Sequence, residues 1–96
     1  MEVDRADAVR DLLLEAERAH ATYESLDLGG VRDQEWARWY GEFVLEHGLE
    51  DVLGHRIPLD QVGPFLASAF VEFEQQEPKS ADGWAGHVAR RIVEGL

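Results

Sequence analysis

Apolar side chains recur along this chain with the spacing of an α-helix. In the first segment they fall mostly three and four residues apart, on a single stripe formed by Val9, Leu12, Leu13, Ala16, Ala19, His20 and Tyr23. Acidic and basic residues fill most of the remaining positions, as in a helix with one buried face. We predict that this first helix starts with Asp4 as its N-cap and ends by Leu28, where Gly29 and Gly30 interrupt it.

A second helix with an aromatic-rich stripe is predicted to start at Asp33, whose side chain can accept hydrogen bonds from the amides of the first turn. Gly48 should stop this helix, because glycine readily adopts the left-handed conformation found after a helix end. Residues 49–58 should then form a short turn of helix followed by a loop. The stripe of the second helix consists of Trp36, Trp39, Tyr40, Phe43, Val44 and His47.

Two more helices are predicted in the second half of the chain. The third should run from Asp60 as N-cap to about Gln76, with Pro64 in its first turn, where the missing N–H costs no helical hydrogen bond. Its inward face consists of Val62, Phe65, Leu66, Ala69, Phe70 and Phe73. The fourth should follow Ser80 as its cap, and its stripe consists of Ala81, Trp84, Ala85, Val88, Ile92 and Leu96.

These elements predict an all-α fold: a compact four-helix arrangement of two helical hairpins in a single domain spanning residues 1–96. The two hairpins resemble each other. A shift of 53 residues superimposes the apolar stripes of the first and third helices, and a shift of 48 places Trp36 on Trp84. The match favours an internal duplication, which would make the bundle pseudo-symmetric.

Three strings in the first half carry a family resemblance: Ala-His-Ala-Thr-Tyr-Glu at residues 19–24, Leu-Gly-Gly-Val-Arg-Asp at 28–33 and Trp-Ala-Arg-Trp-Tyr at 36–40. They resemble small all-helical bacterial proteins with the pattern A-H-x-x-Y-E … L-G-G-x-x-D-x-x-W-x-x-W-Y. The similarity covers mainly residues 9–49 and implies a helical fold without implying an activity. The second half departs from the pattern, with His87 and Val88 where the first half has Trp39 and Tyr40.

The charge balance changes which partners are plausible. The 96 residues include 20 Asp and Glu but only 9 Lys and Arg, for a formal net charge of −11. Nucleic acids and anionic membranes attract basic surfaces, so neither is expected as a partner. Residues 2–51 hold 14 of the 20 acidic residues but only 5 of the 9 basic ones. A basic partner, if there is one, is therefore expected on the first hairpin.

Other features of the composition bear on location and chemistry. The chain has no Cys, so it can form no disulfide, thiolate metal site or cysteine nucleophile. Its N-terminus lacks the basic and apolar regions of a signal peptide, and its apolar runs are far shorter than the ~20 residues that cross a bilayer. We expect a soluble cytoplasmic protein, and a bacterial source fits the preference for Arg over Lys.

His20 is the residue most suggestive of metal chemistry. Glu17 lies three residues before it, which is the carboxylate–imidazole spacing of metal sites in helical bundles. Such sites need a second pair and two further inward carboxylates, and the sequence supplies neither. We therefore predict a core histidine, hydrogen-bonded to Glu24, Tyr40 or a backbone carbonyl.

Other polar groups do not assemble into a recognised site. His47 and His55 lie near three acidic residues, Glu46, Glu50 and Asp51, but their spacing matches no metal-binding motif. Ser25, Ser68 and Ser80 all lie outside nucleophile motifs. The sequence therefore predicts no catalytic residue, no metal and no cofactor.

Trp36, Trp39 and Tyr40 form the most distinctive cluster, and their spacing suits either a core or a binding surface. The leading interpretation is a non-enzymatic protein–protein interaction or accessory module that binds a partner or self-associates. The alternative is a small-ligand-binding protein with a pocket between the hairpins, to which His87 would contribute. An enzyme is the least favoured class. The candidate binding residues are His20, Tyr23, Glu24, Trp36, Trp39 and Tyr40.

Overall fold

The computed structural model describes residues 5–26, 29, 35–79, 81 and 83–96, and this part of the chain contains five α-helices and no strand. The predicted all-α class is confirmed. The short helix predicted after Gly48 is present as the third element. The helices are α1 (Arg5–Leu26), α2 (Trp36–Glu46), α3 (Leu49–Leu53), α4 (Leu59–Gln75) and α5 (Gly83–Gly95).

The four long helices share one hydrophobic core. The most extensive contacts join α1 to α5 and α2 to α4, and further contacts join α4 to α5 and α1 to α2. The short α3 packs against α1 and α2. Each long helix contributes fully buried aliphatic side chains, among them Val9, Leu13, Val44, Val62 and Ile92. Burying a side chain of this size stabilises a fold by about 1.5–3 kcal/mol, so the shared core holds the helices together.

A glycine allows α2 and α4 to approach closely. A Cβ atom added to Gly41 of α2 would lie 3.1 Å from Cδ1 of Leu59, at the start of α4. One added to Gly63 of α4 would lie 3.7 Å from Cα of Arg38. The distance at Gly63 is an ordinary van der Waals contact, so it is Gly41 that allows the close approach of these two helices and helps to position the aromatic face of α2.

The start of α2 differs from the prediction. The helix begins at Trp36 rather than at Asp33, and Glu35 occupies the N-cap position without a side-chain capping bond. The first helical hydrogen bond runs from the Trp39 N–H to the Glu35 carbonyl, at 3.1 Å. The end is as predicted, because Gly48 follows the helix with a left-handed φ of 109°.

The start of α4 corrects the role assigned to Pro64. Pro58 is the N-cap rather than Asp60, and the Val62 N–H donates to the Pro58 carbonyl at 3.2 Å. Pro64 is thus the sixth helical residue, beyond the first turn, and the bond that residue 64 would donate to the Asp60 carbonyl is missing. Both residues are exposed, so water can hydrate the carbonyl.

The last helix also starts later than predicted. It begins at Gly83, whose φ of 74° is left-handed, so Ala81 precedes the helix instead of contributing to its stripe. The first helix ends at Leu26, before the predicted limit. The predicted caps Asp4, Asp33 and Ser80 lie outside the described residues, as do Leu28 and Gly30.

Candidate functional site

His20 lies at the centre of a group of aromatic rings. The residue is 6% exposed, and its ring centroid is 4.9 Å from that of Trp39, 5.0 Å from that of Tyr40 and 6.1 Å from that of Tyr23. Its Nδ1 atom is 3.6 Å from Oε1 of Glu24. The predicted core histidine is therefore buried. The fold places four of the other five candidate residues around it.

Tyr40 lies beneath this group and belongs to the core. Its ring is 9% exposed and makes edge contacts with Trp36 at 5.8 Å and with Trp84 at 5.9 Å. Burial, together with the negative charges of Glu17 and Glu24, raises the pKa of Tyr40 to about 12. The phenol therefore stays protonated at neutral pH.

The sixth candidate, Trp36, faces the other side of Tyr40. It packs against Phe70 of α4 at 5.3 Å, and Phe70 in turn lies 6.2 Å from Trp84 of α5. The Trp84 Nε1–H donates to Oε2 of Glu17 at 2.6 Å. We call Trp36, Tyr40, Phe70 and Trp84 the inner cluster. Sequence reasoning did not assign Phe70 and Trp84 to the site, although the alignment of Trp36 with Trp84 was a signal for the latter.

A second row of rings extends from this cluster towards the surface. Tyr23 stacks on Trp39 at 5.7 Å, Trp39 on Phe43 at 5.6 Å, and Phe43 on His47 at 3.8 Å. Trp39 and Phe43 of α2 and His47, its C-cap residue, lie four positions apart and therefore share one row of the helix surface. The rings of Tyr23, Trp39 and Phe43 are partly exposed, and His47 is exposed. We call these four residues the aromatic stripe.

Carboxylates lie beside the aromatic stripe. Glu42 and Glu46 follow Trp39 and Phe43 by three residues, which places them on the adjacent row of α2. Both are exposed. Glu42 accepts a hydrogen bond from Nε of Arg38 at 3.3 Å, whereas Glu46 makes no hydrogen bond or ion pair with any described residue. The solvent side of the stripe is therefore negatively charged.

The polar groups considered as metal ligands are engaged elsewhere. Glu17 is bound to Trp84, and Glu50 accepts a hydrogen bond from the Ile57 N–H at 2.6 Å. His47 and His55 each contact a backbone carbonyl, the latter that of Leu96 at 2.6 Å. No group of three or more His, Asp or Glu side chains among the described residues could hold a metal ion.

His87 is the second buried histidine, and it lies in a different environment from His20. Its Nδ1 pairs with the side-chain amide of Gln76 at 3.2 Å, and its ring lies 6.0 Å from Phe73. Its Nε2 has no hydrogen-bond partner among the described residues and is 3.5 Å from Oε1 of Glu72. Glu72 also accepts a hydrogen bond from Arg91 at 3.0 Å and raises the pKa of that guanidinium. His87 thus joins an α4–α5 polar group rather than the site around His20.

An open groove of about 390 Å³ lies between α2 and α4. It is lined by Arg38, Leu59, Asp60, Gly63 and Pro64, none of which is a candidate site residue. Its two charged side chains are exposed, and Arg38 is already paired with a carboxylate. The groove therefore presents no buried charged side chain that would orient a ligand.

Comparisons with known proteins identify no relative of this chain. Protein-family models, curated proteins and solved structures were compared with the chain, and none of them matches it. The family resemblance drawn from the sequence stays a prediction. Among the described helices, none combines the length and the apolar character needed to cross a membrane.

Proposed function

We propose that this protein is a non-enzymatic protein–protein interaction module and that it binds its partner through the aromatic stripe. The observation that carries the proposal is a continuous stack of four rings, three of them partly exposed and the fourth, His47, exposed. Aromatic side chains supply a large contact area at a small entropic cost, and Trp and Tyr are enriched among the residues that dominate binding energy.

The stripe is also held in place before any partner arrives. Trp39 stacks between Tyr23 and Phe43, and the buried His20 packs against it from the core side. A ring restrained from three sides has little rotamer freedom left to lose on binding. Preorganisation of this kind lowers the cost of association, which supports a binding role over a purely structural one.

The proposed scaffold is two hairpins, α1–α2 and α4–α5, related by internal duplication. Support comes from equivalent positions. His20 packs against Trp39 in the first half, and the residues aligned with them, Phe73 and His87, pack against each other at 6.0 Å in the second. The histidine and the aromatic residue have exchanged helices. On this proposal only the first hairpin carries the binding surface, because the second-half residues aligned with Tyr23 and Trp39 do not form an aromatic stack with each other.

The small-ligand alternative has less support. It needs a pocket around His20 and Tyr40, but these rings pack 5.0 Å apart and fill the space between them. It also needs His87, which lies with Phe73 and Gln76 instead. A cytoplasmic, bacterial setting belongs to the proposal as well and rests on the composition.

Site-specific photo-crosslinking in the cells that produce the protein tests this function. A benzophenone amino acid is placed at position 47, within the stripe, or at position 75, an exposed residue at the end of α4. Both positions end a helix, so the two variants are matched. We expect a discrete adduct with another protein from position 47 and none from position 75. No adduct at position 47, or equal adducts at both, would contradict the proposal.

A further inference from the structure

We infer that the aromatic stripe binds a basic protein segment that carries arginine, an inference that rests on the interaction function proposed above. The first observation is the distribution of charge. The chain has a net charge of −11, and 14 of its 20 acidic residues lie within residues 2–51, which include the stripe. A partner that approaches this half therefore meets a negative potential, which attracts basic surfaces and speeds their association.

The second observation is local. Glu46 lies on the α2 row beside Phe43, and Glu15 lies on the same row of α1 as Tyr23, eight residues earlier. Both carboxylates are exposed, and neither makes a hydrogen bond or ion pair with any described residue. Each helix that contributes to the stripe therefore presents a carboxylate with no counterion inside the described part of the chain.

The stacking geometry indicates which cation suits the stripe. Trp39 and Phe43 stack with an angle of 17° between their planes, and Phe43 and His47 with 12°. Phe43 and His47, whose ring centroids lie 3.8 Å apart, cover each other's faces, so a partner meets mainly the edges of these two rings. Arginine fits this surface because its aliphatic stem can pack on ring edges while its planar guanidinium makes two hydrogen bonds to a carboxylate. Lysine offers only a point charge.

The same charges argue against other occupants. A second copy of the chain would bring its own excess of carboxylates to the interface, and like charges in contact oppose association. Nucleic acids and anionic lipid surfaces carry the same sign of charge as the stripe's surroundings. A basic protein segment is the occupant that complements both the rings and the carboxylates.

Peptide selection on the intact protein tests the inference. A phage library of random 16-residue peptides is panned against the immobilised full chain at low ionic strength, and a selected peptide is labelled for fluorescence anisotropy. We expect arginine to be enriched over its frequency in the library. Replacing every arginine of that peptide by lysine should weaken binding several-fold, and raising the salt concentration should weaken it further.

Two charge-reversal variants locate the binding surface. Glu46→Lys and Glu74→Lys have the same net charge, but Glu74 is an exposed residue of α4 away from the stripe. We expect Glu46→Lys to weaken peptide binding by about tenfold or more, which is what losing one charge-assisted contact does, and Glu74→Lys to change it little. Equal effects of the two variants would overturn the inference, because they would show a response to net charge alone.

A third variant separates this inference from the function on which it rests. His47→Ala removes an exposed ring of the stripe. Selected peptides that respond to His47→Ala but show no arginine enrichment would overturn the basic occupant and leave the interaction function intact. No selected peptide, or binding that ignores both His47→Ala and Glu46→Lys, would overturn both. A dimer of the chain alone in sedimentation velocity would replace the basic segment by a second copy.

Discussion

The two buried histidines of this protein lie in contrasting surroundings. His20, between α1 and α2, is enclosed by three aromatic rings and one carboxylate. His87, between α4 and α5, contacts one ring, one amide and a carboxylate that is shared with Arg91. His20 thus lies in an aromatic cluster, whereas His87 lies in a polar network. The comparison shows that this fold can bury a histidine either among aromatic rings or beside polar side chains.

The acidic residues of the two halves can also be compared by whether they have an ion-pair partner. In the second half, Arg91 pairs with both Glu72 and Glu94. In the first half, Glu15 and Glu46 have no such partner among the described residues. Charges that are neutralised internally have little to offer a partner, whereas the carboxylates beside the stripe remain available. Ion pairs also occur in the first half, between Arg10 and Asp7 and between Arg38 and Glu42, so the proposed binding surface depends on individual carboxylates that lack a counterion among the described residues.

The largest expected effect tests whether the halves share one core. Leu13 of α1 and Leu66 of α4, which align at the 53-residue shift of the sequence, are 0% and 2% exposed. Replacing either by Ala should lower the free energy of unfolding by about 2–5 kcal/mol, because each substitution leaves a cavity. Urea denaturation of the two variants measures this. A loss below about 1 kcal/mol in only one of them would show that the core belongs mainly to the other half.

Alkaline pH should destabilise the protein through Tyr40, which is in the first half. Its pKa of about 12 in the fold exceeds the value of about 10 expected for an unfolded chain, so the folded state holds this proton more tightly. The contribution is fully present below pH 10 and is lost as the pH rises towards 12, by about 2–3 kcal/mol.

Urea unfolding at several pH values between 9 and 12 measures this loss, with Tyr40→Phe as the control. The variant has no phenol to ionise at this position, so its stability should fall less steeply with pH. In a Tyr23→Phe variant, Tyr40 is the only tyrosine, and its ionisation can be followed by absorbance near 295 nm. Parallel loss of stability in the wild type and Tyr40→Phe would contradict the prediction.

Substituting the two histidines sharpens the contrast between their environments. His20→Leu should lower the free energy of unfolding by about 1–2 kcal/mol, because it removes contacts with three rings. His87→Leu should cost at least about 1 kcal/mol less, because it also removes a buried Nε2 atom that lacks a hydrogen-bond partner among the described residues. Thermal and urea unfolding at neutral pH provide the comparison. Equal losses of stability would indicate that the ring nitrogens of His20 and His87 are equally well hydrogen-bonded.

The smallest effect concerns the bond that links the two halves at the inner cluster. Trp84→Phe and Glu17→Gln each weaken the hydrogen bond between Nε1 and the carboxylate. Because this bond lies at an exposed position, we expect a coupling of about 0.5–1 kcal/mol. A double-mutant cycle isolates this coupling from the separate effect of each substitution. Additive losses would show that the link adds no stability.

Much of the fold was predictable because helices report their buried faces through local spacing. The residues of the α1 stripe nearest its centre, including Leu13 and His20, are buried as expected. The helix starts were less predictable, as the late start of α2 and the position of Pro64 show. Any surface Asp or Ser can act as a cap, and the backbone conformation of the preceding loop decides which residue does so.

The candidate site, too, could be predicted from the sequence only in part. The row formed by Trp39, Phe43 and His47 follows from the helical repeat and could be drawn from the sequence. The position of Tyr23 on this row, and of Phe70 and Trp84 behind it, could not. Rings on different helices meet only when the helices have a particular rotation and separation, which side-chain packing across the whole core determines.

The sequence by itself determined the helical class, the buried face of each helix and the concentration of acidic residues in the first half. These properties depend on spacing and composition, which are local. Only the tertiary structure decided that Trp84 reaches Glu17, 67 residues away, and that burial together with two carboxylates raises the pKa of Tyr40. It also decided which aromatic rings remain at the surface. Those outcomes depend on distances between helices, and such distances follow from how closely the core packs, down to the glycine that lets α2 approach α4.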